Sequence, residues 1–167
     1  FPKFIIVYIG NPLRNNIIPI DNQKEEGVRF FGLDPKKKTI LLVGGSQGAL
    51  GINKGISAQL ETFKNNDYQL IWQTGEFYYD QAVEEVKKLG LENRIKCTVF
   101  IERMDLAYAA ADVVISRAGA MSISELSLLH KAVVFVPLPT AAEDHQTKNA
   151  MRLVDANAAL IVKNSET

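Results

Sequence analysis

The segment DVVISRAGAMSISE, residues 112–125, is predicted to join a buried strand to a helix. Its first five residues form a short apolar run, and three leucines just beyond the segment begin an amphipathic helix. The small residues, hydroxyls and single carboxylate between them fall where the first helical turn leaves its N–H groups unpaired. Such a turn suits a bound phosphate. In the alternative interpretation, Ser122 is an ordinary N-cap and Glu125 completes a capping box.

The length and composition are those of one soluble globular domain. The 167 residues suffice for a good-sized core, and 47% hydrophobic with 23% charged residues is typical of this class. The 19 Lys and Arg residues balance the 19 Asp and Glu residues, so the sequence lacks the electrostatic signature of a nucleic-acid-binding protein. We therefore expect no nucleic acid among its partners.

The sequence predicts neither a membrane span nor a signal peptide. No apolar run approaches spanning length, and no charged N-terminal segment precedes an apolar one. The only cysteine, Cys97, lies in an apolar run and is predicted to be a small core residue, which favours a reducing compartment. Because the chain begins at Phe1 without an initiator methionine, we expect it to be an excerpt of a longer protein.

Strand patterns alternate with helix patterns along the chain. The predicted strands span residues 4–9, 39–43, 68–73, 95–101, 112–116, 132–136 and 159–162. The predicted helices span residues 24–31, 50–64, 77–89, 104–111 and 144–156, and one more begins near residue 122. This order predicts an α/β fold with a parallel sheet, helices on both faces and right-handed crossovers. Ligands bind such sheets at the carboxyl ends of the strands.

The glycine-rich loop GGSQG, residues 44–48, weakly resembles a dinucleotide-binding fingerprint. Its glycines allow the backbone to approach an anion, and Ser46 can donate a hydrogen bond to that anion. A dinucleotide site would place a carboxylate near the end of the following strand, but residues 69–73 read QLIWQ. The lysine of a Walker motif is also missing after the glycines. We therefore expect a phosphate or sugar contact without NAD or ATP chemistry.

Metal chemistry has little support in the sequence. The two histidines, His130 and His145, lie far apart, and no Asp-x-Asp pair occurs. We expect no metal ion and no cofactor. The charge of a nucleotide diphosphate would be met by helix N-termini and by Ser or Arg donors. Gln146, near the start of a predicted helix, is placed to project into the same crevice.

Four motifs occur in the order in which they occur in the MurG family of peptidoglycan glycosyltransferases. They are residues 10–14 (GNPLR), 44–49 (GGSQGA), 117–125 (RAGAMSISE) and 144–150 (DHQTKNA). Together they resemble the C-terminal half of that family over nearly the whole chain. One departure is the pair His130-Lys131 at the end of a predicted helix, where the family usually has glycine.

The resemblance implies both a fold and a reaction. The family has the GT-B fold, two Rossmann-like domains facing a cleft, and residues 1–167 would form its donor-binding domain. It transfers N-acetylglucosamine from UDP-N-acetylglucosamine to undecaprenyl-pyrophosphoryl-MurNAc-pentapeptide (lipid I), which gives lipid II with inversion and without a metal ion. The full enzyme would be peripheral on the cytoplasmic face of the bacterial plasma membrane. The acceptor domain, with the membrane-contacting surface and the catalytic base, is expected upstream.

The same resemblance implies a set of substrate-binding residues. Arg14 would lie beside the uracil, the backbone of Ile101 would pair with the uracil edge, and Ser46 would donate to the diphosphate. Residues 120–125 would wrap the diphosphate and ribose, with the last carboxylate accepting from the ribose hydroxyls, and Gln146 would bind the sugar. The complete set is Arg14, Ser46, Ile101, Ala120, Met121, Ser122, Ile123, Ser124, Glu125 and Gln146.

Three other functions stay open at this point. The chain can be a donor-binding subunit that pairs with a separate acceptor chain, although the motif at residues 10–14 favours a fused partner. It can belong to a related GT-B enzyme that glycosylates diacylglycerol or another lipid. A nucleotide-dependent oxidoreductase is least favoured, since the strand at residues 69–73 lacks the ribose carboxylate. We expect the chain by itself to bind UDP-N-acetylglucosamine without transferring the sugar.

Overall fold

Short, mostly apolar segments form a parallel sheet of six strands in the computed structural model, which describes residues 17, 20, 23–45, 47–139 and 144–167. The strands are β1 Lys38–Val43, β2 Tyr68–Gln73, β3 Ile95–Thr98, β4 Val113–Ser116, β5 Ala132–Phe135 and β6 Leu160–Ile161. Neighbours pair in parallel in the order β3-β2-β1-β4-β5-β6. The strand predicted at residues 4–9 and the motif at residues 10–14 lie outside the described residues.

Helices cover both faces of this sheet. They are α1 Lys24–Phe30, α2 Leu50–Ala58, α3 Thr62–Asn65, α4 Glu76–Lys88, α5 Met104–Ala110, α6 Ala120–Leu128 and α7 His145–Asp155, with a short 3-10 helix at Asn164–Glu166. Leu41 and Leu42, successive residues of β1, point to opposite faces and join separate hydrophobic clusters. One cluster contains α1, α5, α6 and α7, and the other contains α2, α3 and α4. The predicted Rossmann-like α/β architecture is confirmed.

The strand order changes direction between β1 and β4, which are neighbours in the sheet. The chain leaves β1 for α2 on one face and leaves β4 for α6 on the other. A crevice therefore forms between the segments that follow these two strands. Val43 and Ser116 are paired at this edge, so the loop at residues 44–49 and the turn at residues 117–119 start side by side.

The predicted helix at residues 50–64 is interrupted in the structure. The helix α2 ends at Ala58, and the short α3 begins at Thr62. Backbone hydrogen bonds of the tighter i→i+3 type fill the gap between them. Leu60 and Phe63 are both buried in the cluster beneath α2 and α4 with this change of winding. The sequence pattern predicted one continuous helix and did not reveal the interruption.

The third strand is shorter than predicted, because β3 ends at Thr98 and not at Ile101. The hydroxyl of Thr98 donates to the carbonyl of Phe100 at 2.8 Å, and this local bond competes with continued strand pairing. Ile101 nevertheless belongs to the core. In the part of the chain that the structure describes, no helix has both the length and the apolar character needed to cross a bilayer.

Candidate functional site

A cavity of about 550 Å³ opens at the carboxyl ends of β1, β4 and β5. Its walls are the loop after β1, the start of α2, the turn after β4, the residues after β5 and the start of α7. Both α2 and α6 begin at this cavity, and their N-caps, Ala49 and Gly119, have no side-chain oxygen to accept from the first N–H groups. The positive ends of two helix dipoles are therefore directed at the cavity, where they attract an anion.

Glycines allow the loop after β1 to lie directly against the end of β2. Gly48 and Gly75 both have positive φ, +77° and +74°. A side chain on Gly48 would collide with the carbonyl of Thr74, and one on Gly75 would collide with the backbone of Gln47. The end of β2 thus supports the glycine-rich loop. Ser46, the predicted diphosphate donor in this loop, lies outside the described residues.

A buried network of hydrogen bonds holds the glycine-rich loop and α2 against the end of β2. Asn53 of α2 donates from Nδ2 to the carbonyl of Thr74 at 2.7 Å. Its Oδ1 accepts from Nε1 of Trp72 at 2.9 Å, and both side chains are buried. Gln73, the last residue of β2, donates from Nε2 to the carbonyl of Gly45 at 3.2 Å. Because these bonds join α2 and the loop to β2, the sheet sets the position of the loop.

Arg117 brings a positive charge to the cavity wall. Its Nη1 donates to the carbonyls of Val136 at 3.0 Å and Pro137 at 3.1 Å, and these bonds tie the turn after β4 to the residues after β5. Burial lowers the pKa of the Arg117 guanidinium, although arginine stays charged at any ordinary pH. Among the described residues that line the cavity, it is the one charged side chain. The predicted uracil neighbour, Arg14, lies outside the described residues.

Two predicted binding residues, Ser122 and Gln146, line this cavity together. Oε1 of Gln146 accepts from the backbone N–H of Leu138 at 3.0 Å, which holds the start of α7 against the loop after β5. Ser122 is the third residue of α6, whose N-cap is Gly119. The N-cap interpretation of Ser122 is therefore wrong, and the residue instead lines the cavity.

Glu125 lies one helical turn beyond Ser122 and is 1% exposed. Its Oε2 accepts from the hydroxyl of Tyr108, on α5, at 2.9 Å. Glu125 sits in the second turn of α6, so the capping-box interpretation is wrong for this residue as well. Its contact with a ribose stays a prediction.

The other predicted residues that the structure describes do not line this cavity. Ile101 is buried just after the end of β3, and Met121 is half-exposed in the first turn of α6. Ala120, Ile123 and Ser124 line a separate groove of about 290 Å³ between α6 and α7. The structure therefore brings only part of the predicted set to one cavity wall, and the binding roles of these residues stay predictions.

Sequence reasoning missed Asn164 as a cavity residue. It belongs to the 3-10 helix after β6 and lines the cavity. Its Oδ1 lies 2.7 Å from the position that a Cβ atom would take on Gly51 of α2. The one available signal was Gly51 itself, since a glycine inside a predicted helix indicates a close approach. The approaching element is the C-terminal segment, and no motif in the sequence identified it.

Burial raises the pKa of the Cys97 thiol to about 12. The thiol therefore stays protonated near neutral pH, where a thiolate would be needed for nucleophilic or metal chemistry. Cys97 is partly buried and packs against the hydrophobic cluster that contains α2 and α4, at the margin of the core in which it was predicted to lie. Within the described ranges, no group of three or more His, Cys, Asp or Glu side chains is arranged to hold a metal ion.

The sheet order, the glycine-rich loop and the two helix N-termini at the crevice define a doubly wound α/β domain of the nucleotide-binding type. The chain belongs to the family described as the glycosyltransferase family 28 C-terminal domain, which matches residues 39–167. Both the fold class and the family resemblance inferred from the motifs are thereby confirmed.

Several relatives that share one name are similar to this chain in sequence. Each is called UDP-N-acetylglucosamine--N-acetylmuramyl-(pentapeptide) pyrophosphoryl-undecaprenol N-acetylglucosamine transferase. The protein from Bacteroides thetaiotaomicron is 55% identical over 167 residues, which are 99% of this chain and 45% of the relative. The protein from Flavobacterium psychrophilum is 44% identical over 166 residues, again 99% of this chain, and 44% of the relative. The chain thus spans slightly less than half the length of the curated relatives it matches.

Among solved structures, the chain is similar to the crystal structure of Acinetobacter baumannii MurG. The TM-score is 0.71 and the sequence identity 36%, with 78% of this chain and 39% of the other covered. The C-terminal CMP-Kdo binding domain of WaaA from the same organism shares the fold with a TM-score of 0.61 at 13% identity, covering 86% of this chain and 81% of that one. The first likeness agrees with the family match, and the second shows the fold alone.

Proposed function

We propose that this chain binds UDP-N-acetylglucosamine for an inverting glycosyltransferase, which adds N-acetylglucosamine to lipid I and forms lipid II in peptidoglycan synthesis. The observation that carries the proposal is the cavity at the switch point of the sheet, where α2, α6 and Arg117 present donors to one space. The name that the relatives from Bacteroides and Flavobacterium share supports the choice of donor and acceptor. The proposal extends to this chain a reaction that their full length performs.

The diphosphate of the donor would lie between the N-termini of α2 and α6. Both helices begin without a side-chain cap, and the positive ends of their dipoles would attract the phosphate oxygens. The guanidinium of Arg117 adds a full positive charge at the same wall. The family resemblance implies that no metal ion takes part, and these protein groups would balance the negative charge.

The remaining parts of the donor would extend from the diphosphate along the walls. Gln146, held against the loop after β5, would bind the sugar, and Ser122 would donate near the phosphates. Glu125 would accept from the ribose hydroxyls, and the backbone after β3, at Ile101, would pair with the uracil. Arg14 and Ser46 complete the proposed set.

The reaction would be a direct displacement at the anomeric carbon of the sugar. The acceptor hydroxyl forms the new C–O bond on the side opposite UDP, the bond to the β-phosphate oxygen breaks, and UDP leaves with the electron pair. Negative charge develops on the leaving diphosphate, where the dipoles of α2 and α6 are already oriented to stabilise it. The base that takes the acceptor proton would come from the acceptor domain of the full enzyme.

Membrane contact and lipid I binding would also belong to that acceptor domain. We propose that the full enzyme acts as a peripheral protein on the cytoplasmic face of the bacterial plasma membrane, because the undecaprenyl tail of lipid I resides in a bilayer. Alone, the chain would bind the donor without transferring its sugar. Transfer to lipid I by the 167-residue chain by itself would refute that statement.

Calorimetric titration of the chain tests the proposed donor. UDP-N-acetylglucosamine should bind more tightly than UDP-glucose and UDP-galactose, and NAD should not bind, because β2 has no carboxylate at its end to hold the ribose. Tighter binding of NAD than of every UDP-sugar would overturn the proposal. Equal affinity for the three UDP-sugars would retain a UDP site but overturn the assignment to N-acetylglucosamine.

A further inference from the structure

The side-chain amide of Asn164 lies unbonded at the wall of the cavity. Its Oδ1 is buried without a hydrogen-bond partner, whereas Nδ2 is not buried and has no partner within the described residues. We propose that Asn164 is a further substrate-binding residue, which donates a hydrogen bond from Nδ2 to an acceptor oxygen of the hexose in the bound nucleotide sugar. The inference rests on the proposed function, which places a UDP-sugar in this cavity.

Packing against the first turn of α2 holds this amide in place. Its three outer atoms lie between 2.7 and 3.1 Å from the position that a Cβ atom would take on Gly51, so a side chain at Gly51 would collide with them. Gly51 also lines the cavity. The backbone carbonyl of Asn164 accepts from the hydroxyl of Thr167 at 2.8 Å. The amide is therefore positioned by close packing and by its backbone, which leaves Nδ2 for a ligand.

The place of Asn164 along the sheet edge corresponds to the sugar end of the proposed donor. The uracil would lie at the end of β3, beside Ile101, and the diphosphate at the ends of β1 and β4. The sugar would then extend toward β5 and β6, where Gln146 is held against the loop after β5. Asn164 follows β6, the neighbour of β5. A sugar bound by Gln146 would therefore lie in the part of the cavity that Asn164 lines.

Gln146 and Asn164 approach the cavity from opposite faces of the sheet. The helix α7, which carries Gln146, packs with α6 on one face, and Asn164 packs against α2 on the other. Oε1 of Gln146 already accepts from the N–H of Leu138, so the group left for a ligand is its Nε2 donor. Each residue thus offers an amide NH₂ group. Hydroxyl and carbonyl oxygens of a hexose are acceptors that such neutral donors suit.

The space around Asn164 admits a bulky group. A second cavity of about 610 Å³ is lined by the same residue and shares Pro139 with the first. Met151 and Ile161 form an apolar part of its wall. Asn164 therefore stands between two open spaces, so a hexose with several substituents can contact its amide.

The experiment measures the binding of UDP-N-acetylglucosamine and of UDP to the 167-residue chain by calorimetric titration. Asn164→Leu keeps the size and branching of the side chain but removes the donor. It should weaken the binding of UDP-N-acetylglucosamine about fivefold, which is the effect of one neutral hydrogen bond. It should change the affinity for UDP by less than about twofold, because UDP has no hexose.

Thermal unfolding separates this role from a structural one. Asn164→Leu should leave the Tm unchanged or raise it, because an apolar group replaces a buried acceptor that has no partner. A purely structural role predicts a lower Tm and equal effects on the two ligands. If the leucine variant does not fold, Asn164→Ala removes the same amide without adding apolar branches and is titrated with the same expectation.

Asn65→Leu is the matched control. Asn65 is exposed at the end of α3, just before β2 begins, and so lies at the opposite edge of the sheet from the cavity. This variant should leave both affinities unchanged. Unchanged binding of UDP-N-acetylglucosamine by Asn164→Leu, or equal losses for both ligands, would overturn the sugar contact and leave the UDP site in place. If the unsubstituted chain binds neither ligand, the proposed function itself fails, and the sugar contact fails with it.

Discussion

At the scale of single residues, Arg117 combines two tasks that usually fall to different side chains. One nitrogen of its guanidinium holds two carbonyls after β5 at 3.0 and 3.1 Å, while the residue lines the cavity with its charge. Arginine suits this position because its donors point in fixed directions and its charge persists under burial. A lysine has the charge without the planar fork.

Replacing Arg117 should separate the two tasks. Arg117→Met leaves two buried carbonyls unsatisfied and removes the charge, so we expect a loss of about 2 kcal/mol in the free energy of unfolding and about a hundredfold weaker UDP binding. Arg117→Lys should restore part of the affinity and less of the stability. Urea unfolding and calorimetric titration measure the two quantities.

Arg29→Met is the control for this prediction. Arg29 forms a solvent-exposed pair with Glu25 one turn away on α1, so its loss should change stability by less than about 0.5 kcal/mol. If Arg117→Met bound UDP as tightly as the unsubstituted chain, the guanidinium would be a purely structural clamp. The salt dependence of binding should also be smaller in Arg117→Met, because one charge–charge contact is missing.

At the scale of elements, the glycine-rich loop depends on its neighbours. The side chain of Asn53, on α2, forms hydrogen bonds with the indole N–H of Trp72 in β2 and with the carbonyl of Thr74 just after β2. That carbonyl lies so close to Gly48 that a side chain at Gly48 would collide with it. The loop is therefore positioned by a helix that follows it and by a strand about 25 residues later. Local turn chemistry alone does not set its shape.

Asn53→Ala should break this arrangement. It leaves the indole N–H of Trp72 and the carbonyl of Thr74 buried without partners, and we expect a loss of about 3 kcal/mol in the free energy of unfolding, measured in urea. UDP affinity should fall as well, because the loop loses its support. Asn66→Ala removes an exposed hydrogen bond to Thr62 and should cost less than about 1 kcal/mol. Equal effects of the two substitutions would contradict the importance of burial.

The strands β1 and β2 were predictable because parallel strands buried on both faces need largely apolar runs. The strand at Tyr68–Gln73 has the predicted bounds, and β1 differs by one residue. The interruption between α2 and α3 was not predictable, since Leu60 and Phe63 also fit a continuous helical pattern. Tertiary packing selected the tighter turn between them.

The candidate site also contains both residues that the sequence predicted and residues that it did not. Ser122 and Gln146 were predictable because both stand at the starts of helices that follow strands, and the fold brings such starts to one edge. The hydrogen bond between Tyr108 and Glu125 was not, since Tyr108 looks like any aromatic residue on an alanine-rich core helix. Only the packing of α5 against α6 shows that its hydroxyl meets Glu125. Asn164 likewise depends on where the end of the chain lies.

At the scale of the whole molecule, the cavity joins the two halves of the sheet. The helix α2 packs on the face with α3 and α4, and α6 packs on the face with α1, α5 and α7. One diphosphate bound between their N-termini would contact elements from both hydrophobic clusters. Ligand binding should therefore stabilise the chain as a unit and not only the loops at the site.

UDP at a hundred times its Kd should stabilise the folded chain by about 2.7 kcal/mol. For a domain of this size, that corresponds to a rise in Tm of roughly 5–10 °C. Uridine, which lacks the diphosphate, should give a much smaller rise at the same concentration, because it cannot bridge the two helices. Hydrogen exchange should slow at the first turns of both α2 and α6 when UDP is added. Protection of only one of these turns would place the diphosphate on a single helix and contradict a site shared between the two faces of the sheet.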